Sequence, residues 1–176
     1  AVKALKVGNG LDDGVIVGPL IEAAAVKKVR EHVEDAVAKG AKVLAGGQPH
    51  ALGGNFWQPT VLGDCQEKRL RAQEETFGPL AACFRFSDED EVIQRANNTP
   101  YGLAAYFYTQ NLSRVFRVAQ ALESGMIGIN ECAVSTELGP FGGVKESGLG
   151  REGSVLGLEE YLAVKTLHIG GLLPVA

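Results

Sequence analysis

Apolar residues recur at helical spacing in two stretches of the chain, and a capping signal marks a further helix between them. The clearest stretch covers residues 21–39, where valines and alanines share one face. A second helix is expected over residues 87–97, because Ser87 and Asp90 have the spacing of a capping box. A third is expected over residues 112–122, which also carry one apolar stripe.

Short runs with few charges and several β-branched or aromatic residues alternate with these helices and predict strands. Two of them are residues 42–45 and residues 80–86. A third covers residues 56–62, where Pro59 predicts an edge or irregular strand because proline cannot donate to a sheet ladder.

The best-defined unit is a strand–helix–strand pattern over residues 103–130. A β-rich run over residues 103–109 and a buried strand over residues 126–130 flank the third helix through short links. This order predicts a right-handed crossover with parallel strands. Because sites in parallel sheets form beyond the carboxyl ends of strands, the long loop from Asn130 to about Gly150 is expected to be functional.

The two ends of the chain suggest that it belongs to something larger. Residues 1–7 read as the last turn of a helix stopped by Gly8, so a further N-terminal portion is expected. Near the other end, a short helix over residues 152–158 precedes residues 161–169. The latter alternate in part and predict a terminal strand, which would expose backbone edges if left unpaired.

Composition narrows the class of protein. The 176 residues suffice for one domain with a core, and 45% hydrophobic and 22% charged residues are ordinary for a globular protein in water. A net charge of −4 gives no electrostatic reason to expect nucleic acid or an anionic membrane as partner. No apolar run approaches the ~18 residues of a membrane helix.

The three cysteines predict neither a disulfide framework nor a zinc site, because their number is odd and they lack CxxC spacing. Reduced thiols in the cytoplasm are therefore expected. Cys83 lies in an apolar strand and is expected to be packed in the core, Cys65 is expected in a polar turn, and Cys132 begins the long loop. The histidines are far apart, so no metal site is predicted.

Two segments carry candidate chemistry. In residues 74–79, a glutamate carboxylate can accept two hydrogen bonds from a vicinal diol such as a ribose, and Phe77 can face a flat ring. Taken alone, two glutamates before a turn are more often a solvated edge, and such a phenylalanine is more often a core residue. In residues 140–153, glycines allow close backbone approach to a neighbour. An irregular surface loop without a binding role is the alternative interpretation of this segment. These glycines do not directly follow a strand, so they are no Rossmann fingerprint.

Together, in this order and with Gly128, Ile129 and Asn130 between them, the two segments resemble the C-terminal part of aldehyde dehydrogenases. The resemblance covers essentially the whole chain. It implies an α/β fold, in which residues 1–153 are the C-terminal part of the catalytic domain, a parallel βαβ sheet flanked by helices. Residues 154–176 would be a linker helix and an oligomerisation strand. The NAD(P)-binding domain would be absent from the chain.

The resemblance also implies roles for four residues and a cofactor, NAD or NADP. Glu75 would hold the nicotinamide ribose hydroxyls, and Phe77 would contact the nicotinamide ring. Phe141 would form part of the wall near the reactive thiol. Ser135 sits where succinate-semialdehyde dehydrogenases use a serine to help bind the distal carboxylate of the substrate. The match to that group is densest in residues 141–154.

The implied activity is oxidation of succinate semialdehyde, with glutarate semialdehyde or another ω-carboxy aldehyde as alternatives. None of the three cysteines has the context of the nucleophile of the family, so no catalytic residue is assigned. The expected partners are a small aldehyde, the N-terminal portion of the same enzyme, and identical subunits joined through the C-terminal strand. A non-catalytic oligomerisation or interaction fragment is the alternative.

Overall fold

The computed structural model of the protein describes residues 1–66 and 74–171. The chain forms two compact units, Ala1–Ser87 and Asp88–Ala176. In the part of the chain that the structure describes, no helix is long and apolar enough to cross a membrane.

The first unit is built from one long helix and a three-stranded sheet. Helix α1 (Ala23–Ala38) confirms the first predicted helix, and the sheet has the order β1 (Lys42–Ala45), β2 (Thr60–Gly63), β3 (Leu80–Ala82). Strand β1 is antiparallel to β2, and β2 is parallel to β3 with Thr60 opposite Leu80.

One face of α1 supplies half of the core cluster of this unit. A single buried cluster contains residues of α1, of β2 and of the segments beside them: Val26, Val29, Val33, Ala36, Ala41, Trp57, Leu62 and Cys65. The 3.6-residue period of the valines accounts for the helix face, since it places them on one side. Burying this face stabilises the helix more than its intrinsic propensity does.

The expectation of an edge or irregular strand at Pro59 was wrong. Strand β2 begins at Thr60, directly after the proline, and is the central strand of its sheet. Pro59 therefore removes no donor from the ladder, and the Thr60 amide donates to the carbonyl of Pro79 at 2.8 Å.

The expected places of two cysteines were also wrong. Cys65 is buried in the core cluster, whereas Cys83 is exposed. Backbone pairing continues past β2, because the Cys65 amide donates to the Cys83 carbonyl at 3.1 Å. Phe84 packs against the cluster, so its neighbour Cys83 faces the other way, as successive residues of an extended segment do.

The second unit contains the predicted strand–helix–strand motif. Strand β4 (Tyr101–Gly102) precedes β5 (Ala104–Phe107), which pairs in parallel with β6 (Met126–Ile129). Helix α2 (Glu89–Asn97) lies before these strands, and α3 (Leu112–Ala121) links β5 to β6. The parallel βαβ prediction is confirmed. Strand β7 (Val144–Lys145) returns from the long loop to pair antiparallel with β4.

Capping and ion pairs fix the two helices of this unit. Asp88, not the predicted Ser87, is the N-cap of α2, and its carboxylate accepts from the Glu91 amide at 2.8 Å. Aspartate and serine are comparably good N-caps, and the negative charge of Asp88 adds a favourable interaction with the helix dipole. Glu89 joins α2 to α3, because it accepts from Arg114 at 2.5 Å and from Arg117 at 2.6 Å.

The chain ends differ from their predictions. The expected N-terminal helix end is only a 3-10 turn over Val2–Ala4, after which Val7 bridges Val17. A 3-10 helix, Leu156–Tyr161, replaces the predicted helix at 152–158. No strand forms over residues 162–171 with any described partner, and Val164 is 97% exposed. A strand needs a ladder partner. The last part of the predicted segment 154–176 lies outside the described residues.

Candidate functional site

The segment of residues 74–79 is anchored to the core of the first unit at its C-terminal end. Pro79 accepts the Thr60 amide, and Leu80 then enters β3. Gly78 lies directly on α1: a β-carbon there would sit 2.5 Å from a methyl group of Val29. Glycine is therefore required by close packing at this turn.

A buried histidine anchors the other end of the segment. His32 of α1 is 6% exposed, and its Nδ1 contacts the Thr76 hydroxyl. Its Nε2 lies 3.4 Å from the Glu74 carboxylate. This role was not predicted from the sequence, although a lone polar residue on the apolar face of α1 was the available signal.

The two residues predicted to hold the cofactor are both exposed on this anchored turn. Glu75 lies at the surface, and the Phe77 side chain is 81% exposed. Phe77 is thus not a core residue of this chain. An exposed carboxylate and an exposed ring two residues apart form a surface that can accept hydrogen bonds from a diol and stack on a flat ring.

The predicted functional loop of the second unit begins at Asn130, whose side chain is held by hydrogen bonds. Asn130 has a φ of 56°, a conformation that asparagine tolerates better than most residues. Its side-chain Oδ1 accepts from the Thr109 amide and its Nδ2 donates to the Thr109 carbonyl, both at 2.8 Å. The carboxyl ends of β5 and β6 are therefore tied together where the loop starts.

The first half of the loop is exposed, and the carboxylate of Glu131 stabilises its first turn by accepting backbone hydrogen bonds. Glu131 accepts from the amides of Ala133 at 2.9 Å and Cys132 at 2.7 Å, and these bonds lower the pKa of its carboxyl. Ser135 and Cys132 are both exposed. The Ser135 hydroxyl is accordingly accessible to a small ligand that approaches this loop.

The second half of the loop packs on the segment that follows it. Phe141 and Glu152 exchange backbone hydrogen bonds at 2.8 and 2.7 Å, and the Arg151 guanidinium donates to the carbonyls of Gly143 and Gly150. Phe141 is half-buried and lines a groove of about 500 Å³ within this unit. The ring is thus presented at a groove wall and not sealed in a core.

The cysteines supply no candidate nucleophile with a favourable setting. Burial raises the pKa of the Cys65 thiol and outweighs a backbone hydrogen bond with Cys83 that lowers it, so its thiolate is disfavoured. Cys83 and Cys132 are exposed. Within residues 1–66 and 74–171, no group of histidines, cysteines and carboxylates could hold a metal ion.

The structure thus places the four predicted site residues in two sets. Glu75 and Phe77 lie on one anchored turn of the first unit, and Ser135 and Phe141 lie in one loop of the second unit.

Solved structures that share this fold are aldehyde dehydrogenases. The succinate-semialdehyde dehydrogenase from Burkholderia pseudomallei matches with a TM-score of 0.89 and 56% identity, over 91% of this chain and 33% of that one. A betaine aldehyde dehydrogenase from Staphylococcus aureus in complex with NAD+ matches with a TM-score of 0.87 and 38% identity, over 93% of this chain and 34% of that one. The fold is therefore α/β and corresponds to part of an aldehyde dehydrogenase.

The family model of the aldehyde dehydrogenase family matches residues 1–167, and the chain belongs to this family. The family resemblance is confirmed, and with it the expectation of an enzyme family whose members use NAD or NADP.

Three curated relatives act on aldehydes, according to their names. Glutarate-semialdehyde dehydrogenase of Pseudomonas aeruginosa is 59% identical and covers 98% of this chain. Succinate-semialdehyde dehydrogenase (NADP(+)) of Escherichia coli is 58% identical over 97%, and 3-sulfolactaldehyde dehydrogenase of Pseudomonas putida is 55% identical over 98%. The chain spans about a third of the length of these relatives, 36%, 35% and 35% respectively.

Proposed function

We propose that this chain forms the C-terminal third of an NAD(P)-dependent dehydrogenase that oxidises succinate semialdehyde to succinate. The observation that carries the proposal is the exposed pair of Glu75 and Phe77 on a turn anchored to the core. An aromatic ring that is 81% exposed packs little against the described residues, which favours a ligand as its partner.

The described residues fit one end of a dinucleotide. The Glu75 carboxylate has the acceptor capacity for both hydroxyls of the nicotinamide ribose, and Phe77 offers a face for the nicotinamide ring. When bound, the dinucleotide supplies the acceptor for the hydride that leaves the substrate. The part played by this chain is to orient that acceptor, since hydride transfer depends on the distance between the reacting atoms.

The long loop supplies the substrate side of the proposal. Ser135 offers an exposed hydroxyl, and the half-buried Phe141 offers an apolar wall. The aldehydes in the names of the three relatives all carry an acid group distant from the aldehyde carbon, a carboxylate in two and a sulfonate in one. A hydroxyl that donates to such an anion supports an acidic aldehyde as substrate, and succinate semialdehyde is our choice.

The reactive thiol and the general base of the proposed reaction are assigned to the N-terminal portion. An aldehyde is oxidised through a thiohemiacetal and a thioester, which requires a thiolate and a base that activates water. Cys65 is buried with a raised pKa, which argues against it as the nucleophile. We therefore assign binding and orientation, but no catalytic residue, to residues 1–153. Three cysteines without a disulfide support a reducing compartment, and we propose the cytoplasm.

The test is a chimera in which this chain replaces the matching third of the Escherichia coli relative, which is 58% identical to it. We expect turnover of succinate semialdehyde with NAD or NADP within about tenfold of the parent. Glu75→Gln should raise the KM for the dinucleotide, and Ser135→Ala should raise the KM for the aldehyde. Glu34→Gln on the exposed face of α1 is a matched control. A folded chimera without aldehyde oxidation contradicts the proposal.

A second candidate function is a non-catalytic interaction or oligomerisation fragment. The observation that favours it is the exposed apolar C-terminal segment, in which Tyr161, Val164 and Ile169 are 86%, 97% and 71% exposed. In either function we propose that residues 154–176 join identical subunits. Association of the chain in solution, together with an inactive chimera, would favour the second function over the first.

A further inference from the structure

His32 is a buried titratable group that the proposed reaction does not use. It is 6% exposed, and it lies on the buried face of α1 with Val29 and Val33, which belong to the core cluster. An imidazole at such a position costs stability unless both ring nitrogens find partners, and a leucine would fill the space without that cost. The histidine therefore has a reason other than filling the core.

Both partners of His32 come from the segment that carries Glu75 and Phe77. Nδ1 contacts the Thr76 hydroxyl, and Nε2 lies 3.4 Å from the Glu74 carboxylate. An ionised carboxylate only accepts hydrogen bonds, so the Nε2 proton points to Glu74. In the neutral imidazole, Nδ1 then accepts from the Thr76 hydroxyl.

The contacts alternate along the segment. Thr76, which is half-buried, and Glu74, which is itself exposed, contact His32, while the intervening Glu75 and the following Phe77 are exposed and make no hydrogen bond with it. Gly78 lies against Val29 and fixes the C-terminal end of this segment on α1. Three points of attachment to one helix thus determine where the Glu75 carboxylate and the Phe77 ring lie.

We propose that His32 is a positioning residue for the dinucleotide: through Thr76 and Glu74 it holds Glu75 and Phe77 where the nicotinamide riboside binds. This inference rests on the proposed function. His32 itself touches no ligand and acts only through the segment. Because transfer rates fall steeply when reacting groups are displaced by about 1 Å, a residue that fixes this segment affects the chemistry from outside the site.

The first experiment measures kinetics in the chimera described above. His32→Leu should raise the KM for the dinucleotide by about tenfold, the factor that one lost hydrogen bond represents, while the KM for the aldehyde stays within about twofold. The deuterium isotope effect on turnover of an aldehyde labelled at its carbonyl carbon should increase, since hydride transfer becomes slower. Thr76→Val should produce the same pattern.

Three further variants separate positioning from folding. His32→Gln retains a polar group near the place of Nε2 and His32→Asn one near the place of Nδ1, so each should recover part of the loss. Val33→Ala removes buried volume from the same face of α1 and leaves the His32 contacts with Thr76 and Glu74 in place. It should lower the melting temperature at least as much as His32→Leu and leave both KM values unchanged. The double variant of His32→Leu with Thr76→Val should be no worse than His32→Leu alone.

The second experiment uses the 176-residue protein without cofactor. Hydrogen–deuterium exchange of peptides covering residues 74–80 should become at least about tenfold faster in His32→Leu, while peptides of β1 and β2 are unchanged. In Val33→Ala, this difference between segments should be absent. The readout depends on no enzyme activity.

The outcomes distinguish the two proposals. If Glu75→Gln and Phe77→Ala raise the KM for the dinucleotide but His32→Leu does not, the positioning role is overturned and the proposed function stands. If none of these variants changes that KM, the proposed function fails as well. Unchanged exchange of residues 74–80 in His32→Leu also overturns the positioning role.

Discussion

The side-chain amide of Asn130 pairs with the backbone of Thr109 in both directions, donating to its carbonyl and accepting from its amide at 2.8 Å. The pair imitates one more rung of a β ladder beyond the last residues of β5 and β6. It also holds Asn130 in a left-handed conformation, from which the long loop departs.

Substitution of Asn130 should separate the contribution of its side-chain hydrogen bonds to stability from the cost of its left-handed backbone conformation. Asn130→Gly removes the two side-chain hydrogen bonds but accepts a φ of 56°, and should lower the free energy of unfolding by about 1–2 kcal/mol. Asn130→Ala adds the left-handed penalty and should cost about 1 kcal/mol more. Urea denaturation of both variants measures the difference, and equal losses would show that the backbone conformation carries no strain.

Gly78→Ala should destabilise the first unit through one contact. The added methyl group would lie 2.5 Å from the Val29 Cγ2, so either α1 or the segment must shift, at a cost of about 1–3 kcal/mol. The double variant with Val29→Ala provides the space. Its loss of stability in urea should therefore be smaller than the sum of the two single losses. If the two losses of stability simply add, the added methyl group does not clash with Val29.

Glu89 should make stability depend on pH in acid. Hydrogen bonds from Arg117 and Arg114 lower the pKa of its carboxyl below the ordinary value of 4.5. A carboxyl with a lowered pKa in the folded state stabilises the protein above its unfolded pKa, and the contribution is lost as pH falls through the folded pKa. The urea midpoints of the natural protein and Glu89→Gln should therefore differ most at about pH 7, and the difference should shrink as pH falls below 4.5 and vanish below the folded pKa. A constant difference would contradict the ion-pair assignment.

The three thiols should differ in their rates of alkylation. Cys65 is 7% exposed and its pKa is raised by burial, whereas Cys132 and Cys83 are exposed. Mass spectrometry after timed iodoacetamide treatment of the native protein should show Cys132 and Cys83 modified well before Cys65. In denaturant the three rates should become similar. Rapid native modification of Cys65 would contradict its place in the core.

Regular periodicity made much of the fold predictable. The valines of α1 and the pattern of the βαβ unit lie in local sequence, and both elements were predicted close to their observed bounds. Cys65 and Cys83 were assigned to the wrong environments, because the face that an irregular segment buries depends on which of its side chains packs against the core. Phe84 takes the inner side and leaves Cys83 outside. Local sequence does not contain that information.

The candidate site was predictable only in part for the same reason. Glu75 and Phe77 were found from residue types on one short segment. His32, which anchors their segment, lies far from them in sequence. The helical pattern around a lone histidine does not indicate which distant residues it will contact. The predicted terminal strand has an alternating pattern, but a pattern cannot supply a ladder partner, and residues 162–171 form no strand in the described part of the chain.

The β5–α3–β6 motif bears on the order in which the chain assembles. All its contacts form within residues 104–129, so little loop-closure entropy opposes them. By contrast, β4 must find β7 across more than forty residues, with Tyr101 opposite Lys145. Structures with local contacts form faster than those with distant ones. Nascent chains should therefore place Asn130 at the end of a finished motif before β7 closes the loop, and the loop then folds onto an existing template.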